Sequence, residues 1–251
     1  HHARTAALRT GGLEIPIMAP TVLAAGEVSQ VEAELPSPEQ MAVFDALQVA
    51  VHVHCVDDDE GPGGGCGESP GAVQLFVCDG ESACAMELAR VMTPYGRAGS
   101  FLTDADPLVP LLDGGGLVPF EVRAEQAVRI EISLVLYDAG HGDRATTVIP
   151  LWDHGSGADF DADYCTTQPA YDVETPPGAS RVELVTRITG HGESATIDAC
   201  AALCDHTHHF HVGDEKFSIS HPDAGISGAC LDLTGGVIPN QFGDWNLGRA
   251  G

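Results

Sequence analysis

Short runs of alternating apolar and polar residues recur along this chain, set between glycines, prolines and aspartates. Residues 28–35 (VSQVEAEL) alternate, and residues 47–54 (LQVAVHVH) do so more strictly. Period-two alternation places one set of side chains on one face of a strand and the other set on the opposite face. Further strands are expected at 71–77, 120–123, 128–136, 181–188, 206–212 and 217–220. Helical periodicity is nearly absent, and short helical turns are expected only at 81–86 and 197–203. Many short strands with turn residues between them predict an all-β sandwich or jelly roll. Pro, Gly and acidic residues cluster at 57–65, 104–116, 139–147 and 154–177, which read as loops. The stretch 139–147 is the expected linker between an N-terminal unit, 1–138, and a C-terminal unit, 148–251. No internal repeat is visible.

Composition agrees with this and narrows the function. A chain of 251 residues suffices for one large β domain or two ordinary ones. Hydrophobic residues make up 43% and aromatics only 6%, so Val, Leu, Ile and Ala must fill the core. Eleven basic residues stand against 37 acidic ones, a net charge of −26. That field repels phosphate backbones and anionic membranes, which argues against nucleic acid as a partner, and it favours cations. No apolar run approaches the length of a membrane span. No signal-peptide pattern opens the chain, which is expected to be a mature or trimmed product, and His1-His2 reads as a tag remnant rather than a copper-chelating terminus.

Eight cysteines point to an oxidising compartment: extracellular, periplasmic or cell-surface. Spacing suggests the local disulfides Cys55 with Cys66, Cys78 with Cys84, and Cys200 with Cys204. Cys165 and Cys230 remain; they pair with each other, or Cys230 has a partner elsewhere. A zinc site built on cysteine is disfavoured, because no Cys-x2-Cys pair occurs.

Three stretches, in order, carry a resemblance: Arg90-Val91-Met92-Thr93-Pro94-Tyr95; RVELVTRITGHG at 181–192, leading to Cys200-Ala201-Ala202-Leu203-Cys204; and PNQFGDWNLGRAG at 239–251. Together they resemble the bacterial peptide-N-glycosidase F family, from about Ala25 onward. The resemblance implies two antiparallel jelly rolls side by side, and hydrolysis of the amide that joins asparagine to an N-linked glycan. It also implies that the second jelly roll, matched only to Gly251, is completed by a further segment or a second chain, which would supply a cysteine for Cys230. Amide hydrolysis needs a carboxylate to activate water and acidic help for the leaving group. The family's catalytic Asp corresponds to Pro70, and the Glu between its later cysteines corresponds to Ala202. A third family Glu corresponds to Glu125, and Glu68 or the acidic run 57–60 could substitute only through a shifted loop. Losing one positioned acid or base costs on the order of 10²–10⁴ in rate. With two gone, amidase activity is not expected.

The run His206-Thr207-His208-His209-Phe210-His211 is the richest in candidate chemistry. On a strand, His206 and His208 share one face, and His209 and His211 the other. Two imidazoles at i and i+2 can grip one transition metal, with further ligands from a neighbouring strand. The same His-Thr-His-His run occurs in copper monooxygenases of the same superfamily, where its first and third residues ligate copper together with a later Met. Carried over, the ligands are His206 and His208. All four Met residues (18, 41, 86 and 92) lie in the first half, so His191, or alternatively His221, is expected as the third ligand. The metal is expected to be copper or zinc. A two-copper monooxygenase is not expected, because the only adjacent His pair of the first half is His1-His2. Asp159, Asp161 and Asp163 have spacing suited to Ca²⁺, but Tyr164 stands where an EF-hand loop has Gly, so a solvated acidic loop is the preferred reading. His52 and His54 flank core-facing valines and are expected on a solvated or interface face. Trp245 is expected in packing, with a glycan contact as the rival role.

The sequence thus predicts an extracytoplasmic metal-binding protein of this superfamily without amidase activity. The alternatives are a glycan-amide hydrolase with relocated acids, and a non-catalytic surface module that binds a glycan, a glycoprotein or an assembly partner.

Overall fold

The computed structural model describes residues 11–55, 71–78, 84–93, 98–140, 142, 144–151, 170–186 and 206–221, and short pieces at 238–239 and 245–246. At 206, 221, 238–239 and 245–246 it describes the backbone alone. The protein is all-β. Eight strands come first: β1 Leu13–Leu23, β2 Val28–Leu35, β3 Ala46–His54, β4 Ala72–Val77, β5 Met86–Met92, β6 Gly99–Asp104, β7 Gly116–Ala124 and β8 Val128–Tyr137. A single helical turn, α1 (Pro38–Met41), and a 3-10 helix, Asp106–Leu112, interrupt them.

The pairings identify the fold. One antiparallel sheet runs β1-β8-β3-β6 and the other runs β2-β7-β4-β5. The first strand therefore pairs with the last, the second with the seventh, the third with the sixth, and the fourth with the fifth. A long ribbon folded back on itself and rolled into two facing sheets gives this order, which is a jelly roll. Alternation then fills the space between the sheets. Val49, Val51 and Val53 of β3, Ile130, Ile132 and Leu134 of β8, and Leu75 and Phe120 of the facing sheet are all buried in one core. Burying each such side chain contributes roughly 1.5–3 kcal/mol.

Several expectations from the sequence need correcting. Residues 181–186 are not a strand; the side chains of 181–185 are exposed, Val182 to 70%. Alternation fits a residue to a pleated surface but does not supply the ladder partner that makes it a strand. Strands β1 and β6 were not anticipated. Pro16 and Pro20 break the alternation of β1, yet proline is tolerated there because β1 is an edge strand whose ladder is already irregular between Pro16 and Thr21. Met86, expected in a helical turn, opens β5. The expected helix at 197–203 lies outside the described residues, as do 187–188 of the expected strand. Part of the loop expected at 104–116 is the 3-10 helix, held by Asp106, whose Oδ1 accepts the Leu47 N–H at 2.6 Å.

Downstream of β8 the chain is strapped to the sandwich. Arg144 donates through Nε to the Phe44 carbonyl at 2.8 Å, and its two terminal nitrogens fork onto the Asp113 carboxylate. Val148 packs against the core. Beyond the first jelly roll, the described strands are β9 His206–Val212 with β10 Glu215–His221, and the short pair β11 Ile238–Pro239 with β12 Trp245–Asn246. No helix among the described residues is long and apolar enough to cross a membrane.

Candidate functional site

The histidine run forms β9, and a two-residue turn at Gly213-Asp214 returns it as β10. Gly213 has φ +59°, a conformation that favours glycine and suits a tight hairpin. The ladder pairs His206 with His221, His208 with Ile219, Phe210 with Phe217, and Val212 with Glu215. Directly opposed residues of an antiparallel pair share a face. One face of the hairpin therefore carries His206, His208 and His221 at the end away from the turn, followed by an apolar stretch. The opposite face carries Thr207 with Ser220, His209 with Ser218, and His211 with Lys216. Its side chains confirm the assignment: the Thr207 and Ser220 hydroxyls lie 2.9 Å apart, and the His209 Nδ1 lies 2.9 Å from the Ser218 Oγ. His208 is buried, whereas His209 and His211 are exposed.

The register decides between the two third ligands that the sequence offered only so far as to bring His221 to His206. His191 lies outside the described residues. Among the described side chains no three His, Cys, Asp or Glu converge on a metal position, and the side chains of His206 and His221 are not among those described.

The other candidates are distributed elsewhere. His52 and His54 point outward from β3, on the face opposite the buried valines; the His52 Nδ1 lies 2.8 Å from the Ser100 Oγ, and Glu131 and Arg129 stand across the ladder on β8. Glu125 follows β7. Its Oε2 accepts the Ala72 N–H at 2.7 Å, and its own N–H donates to the Ala72 carbonyl at 3.0 Å. Pro70, Glu68, 57–60, Ala202 and Asp159, Asp161 and Asp163 lie outside the described residues. Trp245 is placed only by its backbone in β12.

Cys78 and Cys84 form a disulfide between β4 and β5, as expected. Cys55 is also disulfide-bonded. Its expected partner Cys66 lies outside the described residues, as do the pairs Cys200 with Cys204 and Cys165 with Cys230.

One feature the sequence did not signal is a half-buried polar layer on the outer face of the second sheet. Phe76 is fully buried there beneath the Arg123 guanidinium, 4.1 Å from its ring centre, and Arg123 in turn is 2.6 Å from the Glu121 carboxylate. Alternation marks Phe76 as outward-facing, and the cation packed above it helps to remove it from water.

No family model and no curated protein matches the chain. Solved structures do. A recombinant peptide:N-glycanase F matches with a TM-score of 0.54 and 13% identity, over 83% of this chain and 70% of its own. The glycosylasparaginase PNGase F from Flavobacterium meningosepticum matches with a TM-score of 0.54 and 12% identity, over 83% and 71%. A structure of PNGF-II matches half of this chain and 34% of its own, with a TM-score of 0.37. At such identities the likeness concerns architecture and not chemistry. The strand order of the first jelly roll and the extent of these two longer matches lead to one conclusion: this chain has a peptide-N-glycosidase F-like fold.

Proposed function

We propose that this chain is an extracytoplasmic metal-binding protein on a peptide-N-glycosidase F-like scaffold, holding copper or zinc at His206, His208 and His221, without glycan-amidase activity. The observation that carries the reading is the ladder pair His206–His221, with His208 two residues along the same face. Histidines at i and i+2 of one strand and one on the adjacent strand can converge on a single ion, and imidazole suits both metals. The Cys78–Cys84 disulfide supports an oxidising compartment. Elemental analysis of the purified chain tests the reading. Metal is expected in the wild type and lost in the His206→Ala/His208→Ala variant; equal metal content in both would overturn it.

A second reading, hydrolysis of a glycan–asparagine amide by relocated acids, is favoured by one observation. Glu125, the position matched to one family acid, accepts the Ala72 N–H where the chain enters β4. Release of glycan from a glycopeptide would establish this reading in place of the first.

A further inference from the structure

We propose that Arg144 is a latch: it joins the segment after β8, the 3-10 helix and the corner between α1 and β3 into one unit that opens together, ahead of the sheets. The three pieces are remote in sequence, yet each is bonded to the other two. Leu47, at the start of β3, donates its N–H to the Asp106 carboxylate at 2.6 Å, which joins the corner to the helix. Ala139 donates its N–H to the Asp45 carboxylate, and the Arg144 Nε donates to the Phe44 carbonyl at 2.8 Å; these join the segment to the corner. The terminal nitrogens of Arg144 fork onto Asp113, the residue directly after the helix, which joins the segment to the helix. Arg144 thus takes part in two of the three joints.

What lies beneath makes these joints act together. Leu108, Val109 and Leu112 of the helix and Met41 of α1 are buried in the core of the sandwich, and Val148 packs against the same core. The helix cannot lift at one end without exposing that apolar surface to water. Its own backbone holds it weakly, because its bonds run from i to i+3 and its two prolines, Pro107 and Pro110, donate none. Its seat therefore depends on burial and on the joints at its two ends, Asp106 to Leu47 and Asp113 to Arg144. The sheets, by contrast, are laced by continuous ladders. Folded proteins open locally in cooperative pieces of this kind. On this reading the stretch 139–147 is part of the first jelly roll and not a free linker.

Amide hydrogen exchange of the full chain, followed residue by residue by NMR, tests the latch. The reporters are Ala139 for the segment, Leu47 for the corner, and Gly115, whose N–H donates to the Leu112 carbonyl, for the end of the helix. In the wild type all three should exchange through one opening, with one shared dependence on low urea, since urea dependence follows the surface exposed. Amides in the middle of β3 and β8 should exchange more slowly than these three. Arg144→Met keeps the aliphatic stem and removes the charged donors. It should speed all three reporters by a common factor of about 10. Faster exchange at Ala139 alone, with Leu47 and Gly115 as in the wild type, overturns the latch. Three different urea dependences in the wild type overturn it as well, and that result decides the matter even if the variant does not fold. Mid-strand amides exchanging as fast as the reporters overturn it too, because the opening is then that of the whole jelly roll.

Discussion

Gly71 and Thr93 hold each other twice: the Gly71 N–H donates to the Thr93 Oγ1 at 2.8 Å, and the Thr93 N–H donates to the Gly71 carbonyl at 2.8 Å. With the Glu125–Ala72 bonds beside them, they fix the point where the chain re-enters the sheet at β4. Thr93→Val keeps the shape but leaves the buried Gly71 N–H without its side-chain acceptor. It should cost about 1–3 kcal/mol in a urea unfolding titration. Thr93→Ser, which keeps the hydroxyl, should lie closer to wild type; equal losses in both would show that packing, not the bond, matters.

Glu125 separates a structural from a chemical role. Glu125→Gln retains an oxygen for the Ala72 N–H, so stability should change little. Glu125→Ala should cost about 1–3 kcal/mol through the lost acceptor. If glycan release is found, Glu125→Gln should abolish it without loss of fold; an active Gln variant would remove Glu125 from any acid–base role.

Two glycines with positive φ make a controlled comparison. Gly26, φ +74°, has open space where a Cβ would stand, whereas at Gly115, φ +56°, a Cβ would collide with the Pro36 carbonyl oxygen. Gly26→Ala should therefore cost about 1–2 kcal/mol from backbone strain alone. Gly115→Ala should cost clearly more, because backbone has to move. Equal melting temperatures for the two variants would contradict this contact.

Tyr137 is half-buried, and its phenol is held above the ordinary tyrosine value, first by burial and then by Asp106, Asp104 and Asp45. The folded state thus keeps this proton when the unfolded chain has already released it. The contribution is intact below the ordinary value and is lost as pH rises through the raised folded one. Spectrophotometric titration should show one of the four tyrosines ionising late. Tyr137→Phe should flatten the alkaline limb of the stability curve, and an unchanged slope would refute the assignment.

Much of the first jelly roll is legible in the chain. The runs 28–35 and 47–54 are β2 and β3 nearly residue for residue, and the valines of 47–54 are buried as alternation requires while His52 and His54 face outward. The separation of His206 and His208 from His209 and His211 was equally readable. Each follows from local geometry, since successive side chains of a strand point to opposite faces whatever it pairs with. Three things were not readable. The order β1-β8-β3-β6 joins strands far apart in sequence. The burial of Ala50 and Val135 on the outward face, packed with Leu102 and Tyr137, depends on what neighbouring strands place beside them. The meeting of His206 and His221 depends on register. A shift of one residue in pairing would leave the alternation of each strand intact and yet send His221 to the other face. Period two therefore determined which residues can share a face, and only the pairing decided which of them do: the register of β9 on β10 across the Gly213-Asp214 turn, and the ladders between strands far apart in sequence in the first jelly roll.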